Sequence, residues 1–106
     1  MRVSLEASVE GEIWEIWNYI AKSNPEAANR VEAAILKTFK KLLTSPYLGV
    51  RYKFQTATKE VLRCLPVLDF PTYLVLYRVT TEEVQIVHVL HGSRNLQDLL
   101  DYGELT

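Results

Sequence analysis

The sequence of 106 residues has little of what marks specialised protein classes. Its single cysteine, Cys64, cannot form an intramolecular disulfide, which excludes a disulfide-stapled scaffold and favours a reducing, cytoplasmic compartment. No uncharged apolar run reaches the roughly 18 residues that a membrane-spanning helix needs. The N-terminus also lacks the apolar core of about 7–15 residues that a signal peptide carries. We therefore expect a cytoplasmic protein without a membrane segment.

Neither sign of charge is in excess, because 12 basic and 13 acidic residues leave a net charge of −1. Proteins that bind nucleic acid mainly through its phosphates usually carry a basic surface, so the composition argues against direct nucleic-acid binding. With 48% hydrophobic and 24% charged residues, the chain matches an ordinary soluble globular protein. Its length predicts one domain, residues 1–106, because domains usually hold about 100–150 residues.

The charges are unevenly distributed along the chain. Residues 36–63 contain seven basic residues against one acidic residue, Glu60. The seven are Lys37, Lys40, Lys41, Arg51, Lys53, Lys59 and Arg63. This segment is either a solvated helix face with its loop or a surface that meets an acidic partner.

Hydrophobic periodicity predicts two helices in the first half of the chain. After Ser8, a suitable N-cap, apolar residues recur at steps of three and four. Asn24, Pro25 and Glu26 then supply an N-cap, a proline at the first helical position and an early acidic residue, which start a second helix. Pro46 ends that helix, because the residue before a proline avoids the helical region. The short connection predicts an antiparallel helical hairpin.

Strand patterns dominate the remainder of the chain. Alternating or β-branched and aromatic residues predict strands at residues 2–6, 60–66, 72–79 and 84–91. Turns are predicted at residues 69–71 and 80–83, and a loop that leaves room for a short extended piece at residues 46–59. Ser93 or Asn95 can cap a short final helix.

These elements predict an α+β domain of two layers in the order β-α-α-β-β-β-α. The connections after residue 60 are too short for crossovers, so the strands there pair antiparallel. The helical hairpin then packs on one face of a mainly antiparallel sheet, with an N-terminal strand and a short C-terminal helix.

Motifs for metal, nucleotide or nucleophilic chemistry are missing from the sequence. His88 and His91 lie three residues apart, which on a strand places them on opposite faces, and Cys64 has no cysteine partner. The four glycines are scattered and form no phosphate-binding loop. No nucleophile elbow surrounds Ser93. We therefore expect neither a metal site nor a cofactor.

Polar residues among the C-terminal strands are the remaining candidates. Arg63 interrupts an apolar strand, and Arg78 follows Tyr77 beside a hairpin turn, so each is either a surface arginine or part of a site. His88 alternates with apolar residues, which indicates a hydrogen-bonded residue at the edge of the core.

The segment from His91 to Arg94 is the most suggestive for function. Gly92 can adopt a positive φ and aim the polar residues on both sides outward. An imidazole and a guanidinium placed there are able to bind a phosphate. The alternative is a simple turn and helix cap.

Blocks along nearly the whole chain carry a family likeness. They are WNYIA at 17–21, NPEAA at 24–28, PYLG at 46–49, YLVLYRV at 73–79, the strand at 84–90 and HGSRNL at 91–96. In this order the blocks resemble the RelE/ParE superfamily of bacterial toxins, the toxic halves of type II toxin–antitoxin pairs. The closer likeness is to the ParE branch, and the family's fold has the element order predicted above.

The resemblance implies a small cytoplasmic toxin that a cognate ParD-like antitoxin holds inactive in an oligomeric complex. ParE-type toxins inhibit DNA gyrase by binding it, and no enzymatic residues are established for them. On this interpretation the functional surface includes His91, Arg94, Arg63 and Arg78, and no cofactor is involved.

Two alternatives stay open at this point. RelE-type relatives cut messenger RNA on the ribosome, with basic residues near the positions of Arg63 and Arg94. His91 as acid and Glu60 as base would complete the catalytic set available here. The other lysines and the tyrosine of the RelE pattern have only loose counterparts. The second alternative is a binding module that has lost its toxicity.

An antitoxin of this kind is disordered in part when free and folds on binding. One surface for it is the outer side of the helical hairpin, where Trp14 lies off the apolar stripe and is expected to be exposed. Another is a sheet edge, which accepts an added strand. The basic residues Lys37, Lys40 and Lys41 would suit an acidic antitoxin segment.

Overall fold

The computed structural model describes residues 1–53 and 61–93, the side chains of residues 52 and 53 excepted. Within these residues the elements are β1 (Arg2–Leu5), α1 (Val9–Ala21), α2 (Pro25–Thr44), β2 (Val50–Lys53), β3 (Val61–Val67), β4 (Phe70–Val79) and β5 (Glu83–His91). The order confirms the predicted α+β class, the N-terminal strand and the helical hairpin. The short final helix predicted after Ser93 lies outside the described residues.

The strands form one sheet in the order β1-β5-β4-β3-β2. The pairs β2–β3, β3–β4 and β4–β5 are antiparallel, as their short connections require. β1 pairs parallel with β5, from Arg2 opposite Glu83 to Leu5 opposite Ile86. β2 lies within the predicted loop and is the short extended piece for which that prediction left room.

The two helices pack on one face of the sheet and bury the main core. Their apolar stripes meet the sheet residues Leu65, Val67, Val75, Tyr77, Val84, Ile86 and Val89. A second cluster, formed by Leu62, Leu76, Val87 and Leu90, occupies the opposite face. Because both faces bury apolar residues, the sequences of β3, β4 and β5 are apolar almost throughout.

Two local features of the sheet differ from the sequence prediction. The predicted turn at residues 69–71 is displaced, since Leu68 and Asp69 form it and Phe70 already begins β4. Asp69 adopts a φ of 69°, a left-handed conformation that aspartate tolerates. In addition, Tyr77 pairs with Ile86 while the preceding residue of β4 pairs two positions further along β5, which creates a bulge.

The two helix starts use different caps. The Asn24 side chain accepts a hydrogen bond from the Ala27 N–H at 3.0 Å, as the sequence predicts. Ser8 makes no side-chain cap hydrogen bond, because its φ of −78° and ψ of −16° are already helical. Ser8 therefore occupies the predicted N-cap position, but its side chain does not cap the helix.

This difference predicts unequal effects of alanine at the two positions. Asn24→Ala is expected to lower the free energy of unfolding by about 1 kcal/mol, because it leaves a helical N–H without its acceptor. Ser8→Ala is the matched control and should change it by less than about 0.5 kcal/mol. Urea unfolding followed by circular dichroism measures both, and equal losses would contradict the assigned caps.

Candidate functional site

His91 stands at the end of β5 and lines a cavity of about 520 Å³ between α1 and the sheet. We call this cavity the His91 groove. It is lined by Glu12, Glu15, Ile16, Tyr19, Tyr73, Val89, Leu90, His91 and Ser93. Tyr73 is the register partner of His91, and the two rings meet edge to face with centroids 5.3 Å apart. Tyr19 extends from α1 with 75% of its surface exposed.

Hydrogen bonds orient the His91 ring at this edge. Its Nδ1 lies 2.7 Å from the Ser93 hydroxyl and accepts the Ser93 backbone N–H at 3.1 Å. Both contacts engage Nδ1, so the turn at residues 91–93 sets the orientation of the imidazole ring.

Gly92 supports this turn in a different way from the one the sequence predicts. Its φ is not positive. Instead, the Gly92 N–H donates to the Thr72 carbonyl at 2.6 Å, and a Cβ at this position would lie 3.1 Å from the same oxygen. The close approach of two backbones, rather than a left-handed conformation, is what favours glycine here.

Tyr73 gives the His91 groove a hydroxyl that stays protonated. Burial raises the pKa of Tyr73 above its ordinary value, and the neighbouring Tyr19 raises it further. The groove thus offers aromatic and aliphatic walls with a few polar groups, the composition typical of protein contact sites.

Glu12 fastens α1 to the sheet beside the His91 groove. One carboxylate oxygen lies 2.7 Å from Nδ1 of His88, and the other accepts the Val89 N–H at 3.0 Å. The Glu12 and His88 side chains are 17% and 20% exposed. This pair confirms the prediction that His88 is a hydrogen-bonded residue at the edge of the core.

Arg63 is engaged with the loop that follows α2. Its Nη1 donates to the carbonyls of Tyr47 and Gly49 at 3.3 and 2.9 Å, and its guanidinium stacks 5.0 Å from the centre of the Tyr47 ring. The Gly49 N–H in turn donates to the hydroxyl of the buried Tyr77 at 2.8 Å. Burial raises the pKa of Tyr77, so this hydroxyl stays protonated.

The structure does not bring Arg63 and His91 into one site. Arg63 pairs with Tyr77, whereas His91 pairs with Tyr73, four residues away along β4. At about 3.3 Å per residue the two positions are at least roughly 13 Å apart. Arg94 and Glu60, the other members of the alternative catalytic set, lie outside the described residues.

Arg78 forms an ion pair that ties β4 to the segment after β1. Its Nη2 lies 2.6 Å from a carboxylate oxygen of Glu6, with the two side chains 35% and 45% exposed. Arg78 is thus a paired arginine at the surface, one of the two interpretations that the sequence allowed.

The residues predicted to meet an antitoxin are exposed but lie on different surfaces. Trp14 is 62% exposed on α1. Lys37 lines a second cavity, beside Arg30 of α2 and Phe70 of β4. Lys40 lies about 60° around α2 from Lys37, about 80° from Arg30 and about 100° from Lys41, because each residue turns about 100°.

Within the described residues, the groups with potential for other chemistry are not assembled. No group of three His, Cys, Asp or Glu residues could hold a metal ion in this part of the chain. Cys64 lies in β3, where burial raises the pKa of its thiol and keeps it protonated. None of the described helices is both long enough and apolar enough to cross a bilayer.

Comparison with known proteins decides the family of this fold. A family model described as the ParE toxin of the type II toxin–antitoxin system parDE matches residues 3–96. The chain belongs to the ParE toxin family. It is therefore the toxin type of a type II system, and such a system implies an antitoxin partner.

A solved structure of the chromosomal ParDE toxin–antitoxin system from P. aeruginosa has the same fold. The superposition has a TM-score of 0.67 at 18% sequence identity and covers 86% of this chain and 95% of the other. A search by sequence among curated proteins finds no match. The ParE family assignment thus rests on the family model, and the solved structure supports the fold.

Several residues of these surfaces have no signal in the sequence. Glu12, Tyr19 and Tyr73 look like ordinary members of a helix or a strand, and their convergence on His91 depends on how α1 crosses β5. Arg30 lies outside the basic segment at residues 36–63. Of these residues, a search for exposed aromatic side chains off the core stripe of α1 would have found Tyr19, together with Trp14.

Proposed function

We propose that this chain is a toxin that inhibits DNA gyrase by protein contact and that a cognate ParD-like antitoxin neutralises it in the cytoplasm. The observation that carries the proposal is the match of the ParE toxin family over residues 3–96. Inhibition by contact requires an exposed surface with anchoring side chains and no reacting group.

The geometry of the polar residues favours binding over RNA cleavage. Cleavage needs a proton acceptor and a cation close to one phosphate. Here the Arg63 guanidinium donates to two loop carbonyls, and His91 lies at the other end of β4. Their separation supports a toxin that acts without catalysis.

The His91 groove has the features of a contact site for gyrase. Aromatic residues are enriched at protein interfaces, because they bury a large area at a low entropic cost. Tyr19, Tyr73 and His91 converge there, and Tyr19 is largely exposed. We place the gyrase contact at this groove, together with the predicted surface residue Arg94, which lies outside the described residues.

The experiment is a supercoiling assay of gyrase on relaxed plasmid, with the purified chain titrated in the presence and absence of ATP. We expect inhibition of supercoiling, with accumulation of nicked or linear DNA, and its reversal by the cognate antitoxin. His91→Ala should weaken the inhibition, because it removes the ring that faces Tyr73. Trp14→Ala, on the other side of α1, is the control and should not.

Full supercoiling activity in a micromolar excess of the wild-type chain would overturn the gyrase proposal. Cleavage of messenger RNA on ribosomes by the same preparation would then favour the RelE-like alternative. Equal loss of inhibition in the His91 and Trp14 variants would overturn the placement of the contact at the His91 groove.

A further inference from the structure

One side of α2 carries a row of basic residues. Arg30, Ala34, Lys37 and Lys41 follow each other at steps of four, three and four, so they lie along one side of the helix. We call Arg30, Lys37 and Lys41 the cationic row. All three side chains are exposed, and none of them forms an ion pair with a residue of the described part of the chain. Their charge is therefore directed at solvent.

A groove runs beside this row. A cavity of about 370 Å³ lies between α2 and the turn that joins β3 to β4, lined by Arg30, Ala33, Ala34, Lys37, Asp69 and Phe70. The two alanines leave space along the helix, and the half-buried Phe70 provides an apolar wall. Two cations and one carboxylate line it, so its local charge is positive. The α2 groove thus combines an apolar contact with positive charge.

We propose that the α2 groove binds an acidic segment of the antitoxin. The inference rests on the proposed function, since it names the place and the chemistry of the neutralising contact. Charge complementarity identifies the occupant: carboxylates pair with the guanidinium of Arg30 and the ammonium groups of Lys37 and Lys41, and an aliphatic side chain packs on Phe70.

The length of the cationic row sets the size of the segment. From Arg30 to Lys41 the helix rises about 16 Å, at about 1.5 Å per residue. An extended segment of about five or six residues spans this distance, at about 3.3 Å per residue. Two or three acidic residues within such a stretch can reach all three cations. A segment this short and charged is disordered when free, as expected of an antitoxin tail.

The test measures binding of the full-length cognate antitoxin, produced from the neighbouring gene, to variants of the full chain. Arg30→Glu combined with Lys37→Glu reverses the charge of the groove. Lys22→Glu combined with Arg51→Glu changes the total charge equally, at two exposed positions that neither belong to the cationic row nor line the α2 groove. We expect the first pair to raise Kd about tenfold or more at low ionic strength, and the second by less than about threefold. The difference in Kd between the two double variants should become smaller in about 0.5 M salt, where charges are screened.

The outcomes of this binding test distinguish a failure of the proposed function from a failure of the α2 groove. If the wild-type chain does not bind the antitoxin, the proposed neutralisation fails and this inference fails with it. If the wild type binds and the Arg30 and Lys37 variant binds equally well, the α2 groove is overturned while the proposed function stands. Equal weakening by both pairs also overturns the groove, because total charge would then explain the effect. Melting curves of all variants verify that these exposed substitutions leave the fold intact.

Discussion

Replacing Gly49 with alanine is expected to lower the free energy of unfolding by about 2–3 kcal/mol, because the added methyl group has no space. A Cβ at this position would lie 2.7 Å from the hydroxyl oxygen of Tyr77, 2.8 Å from its Cε1 and 3.1 Å from the Cys64 carbonyl. Tyr77 is fully buried, and close packing prevents it from moving aside. Urea unfolding followed by tryptophan fluorescence measures the loss.

Gly11→Ala is the matched control for this substitution. Gly11 lies in α1, and a Cβ there would meet nothing within 4 Å. Alanine should therefore raise the free energy of unfolding by about 0.5–1 kcal/mol, the usual gain over glycine in a helix. A loss at position 11 similar to that at position 49 would contradict the steric explanation.

A double substitution tests whether Gly49→Ala destabilises the protein through a clash with Tyr77 or because the loop after α2 tolerates no substitution. Tyr77→Phe alone should cost about 1–3 kcal/mol, because it leaves the buried Gly49 N–H without its acceptor. It also removes the oxygen that lies closest to the added methyl group. The combined Gly49→Ala and Tyr77→Phe variant should therefore lose less stability than the sum of the single variants, by about 0.5 kcal/mol or more. Strict additivity would contradict a direct clash between these groups.

Glu12→Ala should have an effect of similar size, about 2–3 kcal/mol, on the free energy of unfolding. The substitution removes the acceptor of the Val89 N–H and the partner of His88 at once. The pairing of β1 with β5 ends at Ile86, so within residues 1–53 and 61–93 no strand offers the Val89 N–H another acceptor on that side. Chemical unfolding at neutral pH measures the loss.

Glu15→Ala is the control for Glu12→Ala. Glu15 belongs to the same helix and also lines the His91 groove, but it is exposed, so its loss should cost less than about 0.5 kcal/mol. Glu12→Gln keeps an oxygen for the Val89 N–H and should fall between the two alanine variants. If Glu12→Ala and Glu15→Ala have equal effects, the bridge from α1 to β5 contributes no stability.

The contacts of Glu12 with His88 and Val89 also help to position the proposed gyrase contact. They hold α1 against β5, and α1 carries Tyr19 over the His91 groove. The Arg63 contacts play the corresponding role at the other end of β4, where they hold the loop after α2. An arginine in that place is therefore structural in this fold, although the sequence equally allowed a catalytic interpretation.

The amino-acid sequence by itself determined the elements whose signals are local. The Asn24 cap, the proline after it and the apolar stripes specify the helical hairpin, because capping and periodicity act over a few residues. Short connections likewise determine the antiparallel pairing of β3, β4 and β5. The exposure of Trp14 followed from its position off the apolar stripe of α1, and the hydrogen-bonded state of His88 followed from its alternation with apolar residues along β5.

Tertiary structure alone decided the contacts between residues distant in sequence. Glu12 meets His88 across 76 positions, and Gly49 meets Tyr77 across 28. Such pairs depend on the bulge in β5, on the parallel pairing of β1 with β5 and on the way α1 crosses the sheet. None of these three features is marked by a local pattern in the sequence. The same holds for the basic residues of α2. Lys37 and Lys41 align with Arg30 along one side of the helix, whereas Lys40 lies about 100° around it from its neighbour Lys41, because a helix places residues adjacent in sequence on different sides.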